Sequence, residues 1–258
     1  MRVVVTRPQR EAQEWVRSLS AAGLQALALP MIDIRPAPDP APLQQAWRHL
    51  ADYRALMFVS ANAVDGFFAA KPAADASFST RAWATGPGTV AALRRAALAP
   101  QFIDAPSPQS AQFDSDALWQ VVAGQVRPSD RVLIVRGADE QAAHAFEGVG
   151  RDWLAQRIQE AGGQVDFVVS YQRARTRLDA AQIGLALEAA SDGSIWLFSS
   201  SEAITHLCAC LPQQDWSRAR ALATHPRIAA AARRAGFAVV HESRPSLADV
   251  MASIESMA

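Results

Sequence analysis

The sequence predicts an α/β protein of two similar parallel-sheet lobes, joined by two extended connectors and separated by a cleft. Short apolar runs alternate with helical segments along the chain, which is typical of parallel sheets covered by helices. The chain also repeats its own pattern in order, because FVSANAV at 58–64 returns as FSSSEAI at 198–204 and ATGP at 84–87 returns as ATHP at 223–226. Two similar lobes commonly leave a ligand site between them.

The elements follow from periodicity and end signals. Residues 3–6 are apolar and β-branched, as in a buried parallel strand. Apolar side chains then recur at helical spacing over 9–22, and Gly23 supplies the stop. The same criteria predict further strands at 24–34, 56–60, 82–85, 102–105, 131–135, 165–171, 195–199, 219–224 and 238–241. They predict further helices at 62–70, 89–97, 113–122, 152–161, 202–211, 226–235 and 247–256.

Two segments have the composition of extended connectors. The first, 36–42, carries a proline at every second position, which stiffens an extended chain. The second, 173–177, is polar and rich in arginine. We therefore expect the two lobes to be linked through these segments.

Charge and composition exclude several classes of partner. The chain has 25 basic and 25 acidic residues, so no bulk field favours nucleic acid or a membrane surface. No apolar run approaches the ~18 residues of a membrane span. Met1 and Arg2 lead directly into a strand without a secretory segment. We expect a cytoplasmic protein with neither nucleic-acid nor membrane partners.

No cofactor or metal motif stands out in the sequence. Cys208 and Cys210 are two residues apart in a predicted helix, so they point to different faces, and the histidines are scattered. The glycine-rich motifs of nucleotide sites are absent. Lys71 is the only lysine, which disfavours Schiff-base chemistry. We expect no metal and no cofactor.

Polar side chains at the ends of predicted strands are the candidates for chemistry. In parallel α/β sheets, ligands bind beyond the carboxyl ends of the strands. Helix N-termini there also attract anions. Eight residues occupy such positions: Arg7, Ser60, Thr85, Arg136, Tyr171, Ser199, Ser200 and Thr224. Helix caps and strand-end salt bridges would place the same residue types there, so both interpretations stay open.

These segments together resemble the uroporphyrinogen-III synthase family. The resemblance rests on VTRP at 5–8, LP at 29–30, FVSANAV at 58–64, ATGPGT at 84–89, FDSDALW at 113–119, VLIVRG at 132–137, GRDWL at 150–154, YQR at 171–173, FSSSEAI at 198–204 and THPRIAAAARRAGF at 224–237. Each motif is weak alone, but their order along almost the whole chain is specific. The chain departs from the family in a longer segment at 138–149 and in Gly88, which corresponds to Arg227 in the repeat.

The resemblance implies a wiring and a reaction. One lobe takes residues 1–35 and 175–258, and the other takes 36–174. The implied activity is cyclisation of hydroxymethylbilane, a linear polycarboxylate tetrapyrrole, to uroporphyrinogen III with inversion of ring D and loss of water, by a monomer without cofactor. The alternative is a two-lobed binding or sensor module for a small anionic ligand.

The resemblance also implies roles for single residues. Tyr171 corresponds to a family tyrosine and would donate a proton, or position water, at the leaving hydroxyl, although an aromatic cap on a strand end would look the same. The substrate carboxylates would be bound by Arg7, Ser60, Asn62, Thr85, Gly86, Thr89, Arg136, Gly137, Arg151, Arg173, Ser199, Ser200, Thr224 and Arg227.

Overall fold

The computed structural model describes residues 2–72, 78–110, 112–139 and 149–257, with the side chains of 149–152 outside the description. Its strands are β1 (Arg2–Val5), β2 (Gln25–Ala28), β3 (Ile32–Pro36), β4 (Ala55–Phe58), β5 (Arg81–Ala84), β6 (Ile103–Asp104), β7 (Arg131–Asp139), β8 (Gln164–Arg175), β9 (Ile195–Phe198), β10 (Arg220–Ala223) and β11 (Val239–Glu242). Its α-helices are α1 (Gln9–Ala21), α2 (Ala41–Arg48), α3 (Ala61–Ala69), α4 (Pro87–Arg95), α5 (Ser115–Val122), α6 (Val149–Glu160), α7 (Ala180–Ala189), α8 (Ser201–Cys210), α9 (Pro226–Arg234) and α10 (Leu247–Ser256). The α/β class with parallel sheets is thus confirmed.

The chain divides into two compact units that interleave in sequence. Unit 1 comprises Met1–Asp33 and Ala174–Ala258, and unit 2 comprises Ile34–Arg173. Unit 1 holds a five-stranded sheet in the order β11-β10-β9-β1-β2, and every neighbouring pair is parallel. From the central pair β1 and β9, the chain proceeds outward to β2 on one side and to β10 and β11 on the other, so the sheet is doubly wound.

The sheet of unit 2 has the order β3-β8-β7-β4-β5-β6, and its strands β4 to β8 are all parallel. The two sheets have the same strand order when β7 is aligned with β1 and β4 with β9, but the matched strands are circularly permuted along the chain. The first half of the chain supplies β1 to unit 1 and β4 to unit 2. The second half supplies β9 to unit 1 and β7 to unit 2.

Each sheet is covered on both faces by helices, as the apolar pattern requires. In unit 2, Leu56 and Phe58 face a core that includes Phe67, while Met57 and Ile134 face a second core on the opposite side. In unit 1, β1, β9 and β10 pack against α1 and α10. Burial of both strand faces fixes the strands, so the loops after them are held in place.

Three predictions about elements are wrong in part. Residues 24–34 form two strands, β2 and β3, in different sheets, with residues 29–31 in neither strand. The first connector, 36–42, is not extended throughout, because α2 begins at Ala41 with Pro42 in its first turn, where proline is tolerated. The strand predicted at 165–171 continues to Arg175 as β8, so Tyr171 lies within the strand and the start of the second connector is extended.

Two helices, α2 and α7, were not predicted from the sequence. Helix α7 begins with a capping box between Asp179 and Gln182. No helix in the described part of the chain is long and apolar enough to cross a membrane.

Candidate functional site

The switch point of unit 2 lies between the parallel neighbours β4 and β7. Their register pairs Phe58 with Val135, so the two strands run side by side to the end of β4. The amide of Val59 still donates to the carbonyl of Val135, at 3.2 Å. The chain after β4 enters α3 at once, and β7 continues along β8. A doubly wound sheet offers a ligand crevice at this kind of position.

A pair of hydroxyls occupies this edge of unit 2. Ser60 is the N-cap of α3, and its Oγ accepts a hydrogen bond from the amide of Ala63 at 3.2 Å. The same Oγ lies 3.2 Å from the hydroxyl oxygen of Tyr171, which comes from β8. The Tyr171 side chain is almost fully buried, with 4% of the residue's surface exposed. Its hydroxyl is therefore oriented by protein contacts.

Gly137 allows the tyrosine ring to take this position. The register of β7 and β8 shifts between Arg136 and Gly137, with Ser170 as the extra residue of β8, so Gly137 lies opposite Tyr171. A Cβ on Gly137 would lie 2.4 Å from Cζ of the ring, so the ring packs directly on the glycine backbone. Any larger residue would have to displace the phenol.

The residue before the tyrosine ties β8 to the same helix. The buried Oγ of Ser170 donates to the carbonyl of Ala63 at 3.1 Å. A Cβ on Gly66 would lie 2.2 Å from the carbonyl oxygen of Ser170, so helix α3 approaches the strand closely. Ser60 and Tyr171 are thus held by two elements that cannot slide independently.

The start of α4 adds backbone donors to this edge. Gly86 is the N-cap and provides no side-chain cap. Thr85 donates through Oγ1 to the carbonyl of Val59 at 3.4 Å, and Thr89 is buried in the first turn of the helix. Asn62, in the first turn of α3, is half-buried. The positive end of the α4 dipole can therefore attract an anion.

Of the predicted arginines of unit 2, Arg136 and Arg173 lie on β7 and β8, and Arg151 lies in α6. Arg136 is 6% exposed, and its guanidinium stacks 4.6 Å from the ring centre of Phe167. Arg173 donates from Nε to Asp139 at 2.8 Å. The side chain of Arg151 lies outside the described residues, as does most of the segment 138–149.

The switch point of unit 1 lies between β1 and β9. Thr6 is buried after β1, and its Oγ1 donates to the carbonyl of Leu197 at 2.8 Å. Ser200 caps α8, its Oγ accepting from the amide of Glu202 at 3.1 Å, and Ser199 is half-buried beside it. The amide of Thr224 donates to the carbonyl of Phe198 at 3.1 Å.

Arg7 follows β1 and lies along α1. Its guanidinium forms an ion pair with Glu11 at 3.2 Å and stacks 4.4 Å from the ring centre of Trp15. Burial lowers the pKa of Arg7, although the charge of Glu11 opposes this shift. The ion pair is one of the two arrangements that the sequence left open.

His225 gives α9 a cap that α4 does not have. Its Nδ1 accepts from the amide of Arg227 at 3.1 Å, so this nitrogen is the unprotonated one. The side chain of Arg227 is exposed. This role of His225 was not predicted from the sequence, although its position before a helix-starting proline was an available signal.

The predicted residues therefore form two groups. Ser60, Gly137 and Tyr171 meet at the edge of unit 2, with Thr85 and Gly86 beginning the next loop of that unit. Arg7, Ser200 and Thr224 belong to the edge of unit 1. Sequence analysis missed the buried Thr6 and Ser170, whose short hydroxyl side chains bond to backbone carbonyls of neighbouring elements.

The cysteines are free thiols on α8. Both are half-buried, and burial raises the pKa of Cys208 and of Cys210, with Arg175 opposing the shift at Cys210. Within the described residues, no group of three or more His, Cys, Asp or Glu side chains is arranged to hold a metal ion.

Comparisons with known proteins agree on one family. A family model described as uroporphyrinogen-III synthase HemD matches residues 13–252. A mutant uroporphyrinogen III synthase from the extremely thermophilic bacterium Thermus thermophilus superposes with a TM-score of 0.58 at 16% identity, covering 100% of this chain and 98% of that one. A uroporphyrinogen-III synthetase from Helicobacter pylori superposes with a TM-score of 0.57 at 16% identity, covering 100% of each chain. The two solved structures support the fold, and the family match covers most of the sequence.

Proposed function

Because the chain belongs to the uroporphyrinogen-III synthase family, we propose that it cyclises hydroxymethylbilane to uroporphyrinogen III with inversion of ring D and release of water. The match over residues 13–252 carries this proposal, because it spans most of the chain and includes Ser60, Gly137 and Tyr171. The match also favours a cyclising lyase over a two-lobed binding or sensor module.

The proposed reaction needs an acid that protonates the leaving hydroxyl and a site that fixes the conformation of the substrate. The bond from the terminal carbon to its hydroxyl breaks, the oxygen leaves as water after gaining a proton, and a cation remains on the substrate. The substituted carbon of ring D attacks it to give a spiro intermediate, which fragments and recloses with loss of a proton. Positioning is the main task, since closure without inversion competes.

We assign the acid to Tyr171. Its phenol is an uncharged donor, held within β8 by contacts to Gly137 and Ser60. Transfer from a positioned side chain is worth roughly 10²–10⁴-fold in rate. Substrate carboxylates would be bound by the helix start at Gly86 and by the other predicted polar residues, Ser60 excepted.

The two compact units would serve as the two lobes of the enzyme. We further propose a monomer that acts in the cytoplasm, an environment in which the free thiols of Cys208 and Cys210 would stay reduced. Sedimentation at micromolar concentration would test the monomer, and a mass of two chains would contradict it.

The activity can be tested with enzymatically generated hydroxymethylbilane. The purified protein is expected to give the III isomer, resolved from the I isomer by chromatography after oxidation, in the presence of a chelator and without nucleotide. Product that is only the I isomer, as in a blank without protein, would contradict the proposal. Strict dependence on a divalent metal would contradict the cofactor-free mechanism.

A further inference from the structure

We propose that Ser60 is a positioning residue for the Tyr171 hydroxyl and not, as the sequence suggested, a ligand of a substrate carboxylate. The proposal rests on the proposed function and adds a specific task for one side chain. It stands on geometry that joins two residues 111 positions apart: Ser60 Oγ lies 3.2 Å from the Tyr171 oxygen and 3.2 Å from the amide nitrogen of Ala63.

The hydrogen-bonding capacity of Ser60 leaves little room for a ligand. A serine hydroxyl has one proton and two lone pairs. One lone pair accepts the hydrogen bond from the Ala63 amide, and the Ser60 proton can be donated to the Tyr171 oxygen. The tyrosine proton is then free to point away from Ser60 toward a substrate. In the opposite orientation Tyr171 would donate its proton to the Ser60 oxygen, and that proton would not point toward a substrate.

The surroundings of Ser60 favour the first orientation. Ser60 stands at the N-terminus of α3, where the helix dipole and the Ala63 amide polarise its hydroxyl and make it a better donor. When Tyr171 releases its proton, the phenolate oxygen would still receive the hydrogen bond from Ser60. Charge that develops on the phenol is therefore stabilised by a group already in place.

The Tyr171 ring is closely packed and almost fully buried at this contact. Gly137 lies directly beneath it, and Ser170, the preceding residue on the chain, is bonded to the carbonyl of Ala63. The Ser60 hydroxyl is held by the amide of Ala63 in the first turn of α3, and the Tyr171 hydroxyl is held there by its hydrogen bond with Ser60. Loss of the Ser60 hydroxyl should change how Tyr171 donates without moving the ring.

Three variants separate positioning from capping. Ser60→Gly removes the hydroxyl but costs a helix start only a few tenths of a kcal/mol. Ser60→Thr keeps a hydroxyl at the same place. Ser246→Gly is the matched control, because Ser246 caps α10 by accepting from the amide of Asp249 at 3.2 Å, the same third-residue geometry, and has no proposed role in the site.

Steady-state turnover of hydroxymethylbilane gives the decisive values. We expect Ser60→Gly to lower kcat about 10-fold, the scale of a lost hydrogen bond with an unpaired partner, at unchanged KM. Ser60→Thr should restore most of kcat, and Ser246→Gly should match wild type. In the background of Tyr171→Phe, Ser60→Gly should cause no further loss, because its partner oxygen is gone.

Several results would overturn the proposal. A raised KM at unchanged kcat would make Ser60 a carboxylate ligand. Losses that multiply in the double variant would show that Ser60 does not act through Tyr171. Equal losses in Ser246→Gly would reduce the effect to helix capping, and wild-type kcat in Ser60→Gly would remove any role. Absence of the III isomer with the wild-type protein is the separate outcome that would overturn the proposed function itself.

Discussion

The two units share a strand order but differ in what their switch points contain. Arg7 after β1 corresponds to Arg136 of β7, and Ser200 at the start of α8 corresponds to Ser60 at the start of α3. Both of the chain's tyrosines lie in unit 2. Ser60 therefore has a phenol partner that unit 1 cannot provide.

The helix starts differ in the same sense. In unit 1 the start of α9 is capped by the imidazole of His225, whereas Gly86 leaves α4 of unit 2 without a side-chain cap. Unit 1 thus caps this helix start with a side chain, while unit 2 leaves the start of α4 without a side-chain cap and brings Ser60 and Tyr171 together. On our proposal, the two units share one strand order but divide the chemistry, and unit 2 carries the proton transfer.

Gly137→Ala is expected to have the largest effect on stability and turnover taken together. The new methyl group would lie 2.4 Å from Cζ of Tyr171, well inside van der Waals contact, so the buried ring must move away from Ser60. Overpacking of this kind costs roughly 1–3 kcal/mol of stability, and loss of the positioned acid should lower kcat by about 10²-fold. Urea denaturation and turnover measure the two effects. Unchanged turnover would show that ring position is irrelevant to catalysis.

A smaller effect is expected from His225→Ala in unit 1. The change removes the acceptor for the Arg227 amide and should lower the free energy of unfolding by about 1 kcal/mol. Urea denaturation checks it. An unchanged free energy of unfolding would show that the imidazole cap does not stabilise α9. The proposed difference between the starts of α9 and α4 would then be contradicted.

The smallest effect is expected from Gly184→Ala, the control for added methyl groups. Gly184 lies inside α7, and a Cβ there would meet nothing within 4 Å. Alanine should stabilise the helix by about 0.5–1 kcal/mol and leave turnover unchanged. A destabilised variant would mean that glycine substitutions disturb this protein for reasons other than contact.

Much of the fold could be predicted because the strands are short, apolar and followed by clear helix starts. The end of α5 at Val122 and both bounds of α10 agree with the predicted elements. The strand β7 was predicted to end at 135 because Arg136 and Gly137 resemble a strand end. Its continuation depends on pairing with β8, which local sequence does not reveal.

The site could be predicted only as separate residues. Parallel topology places strand-end side chains at one edge, so Ser60 and Tyr171 could both be named from the sequence. Their contact could not, because it requires the register shift before Gly137 and the close approach of Gly66 to Ser170. A strand-end salt bridge of Arg7 was left open as an alternative, and the structure pairs Arg7 with Glu11. Contact of Arg7 with substrate stays a prediction.

Tyr171→Phe tests most directly the claim that unit 2 carries the proton transfer. The ring and its packing on Gly137 are kept, so the far-UV spectrum and melting midpoint should stay near wild type. If the phenol assists departure of the hydroxyl, kcat should fall by about 10²-fold or more, and the fraction of the non-inverted I isomer should rise as spontaneous closure competes. A folded variant with undiminished turnover and only the III isomer would contradict the claim and leave conformational grip as the source of catalysis.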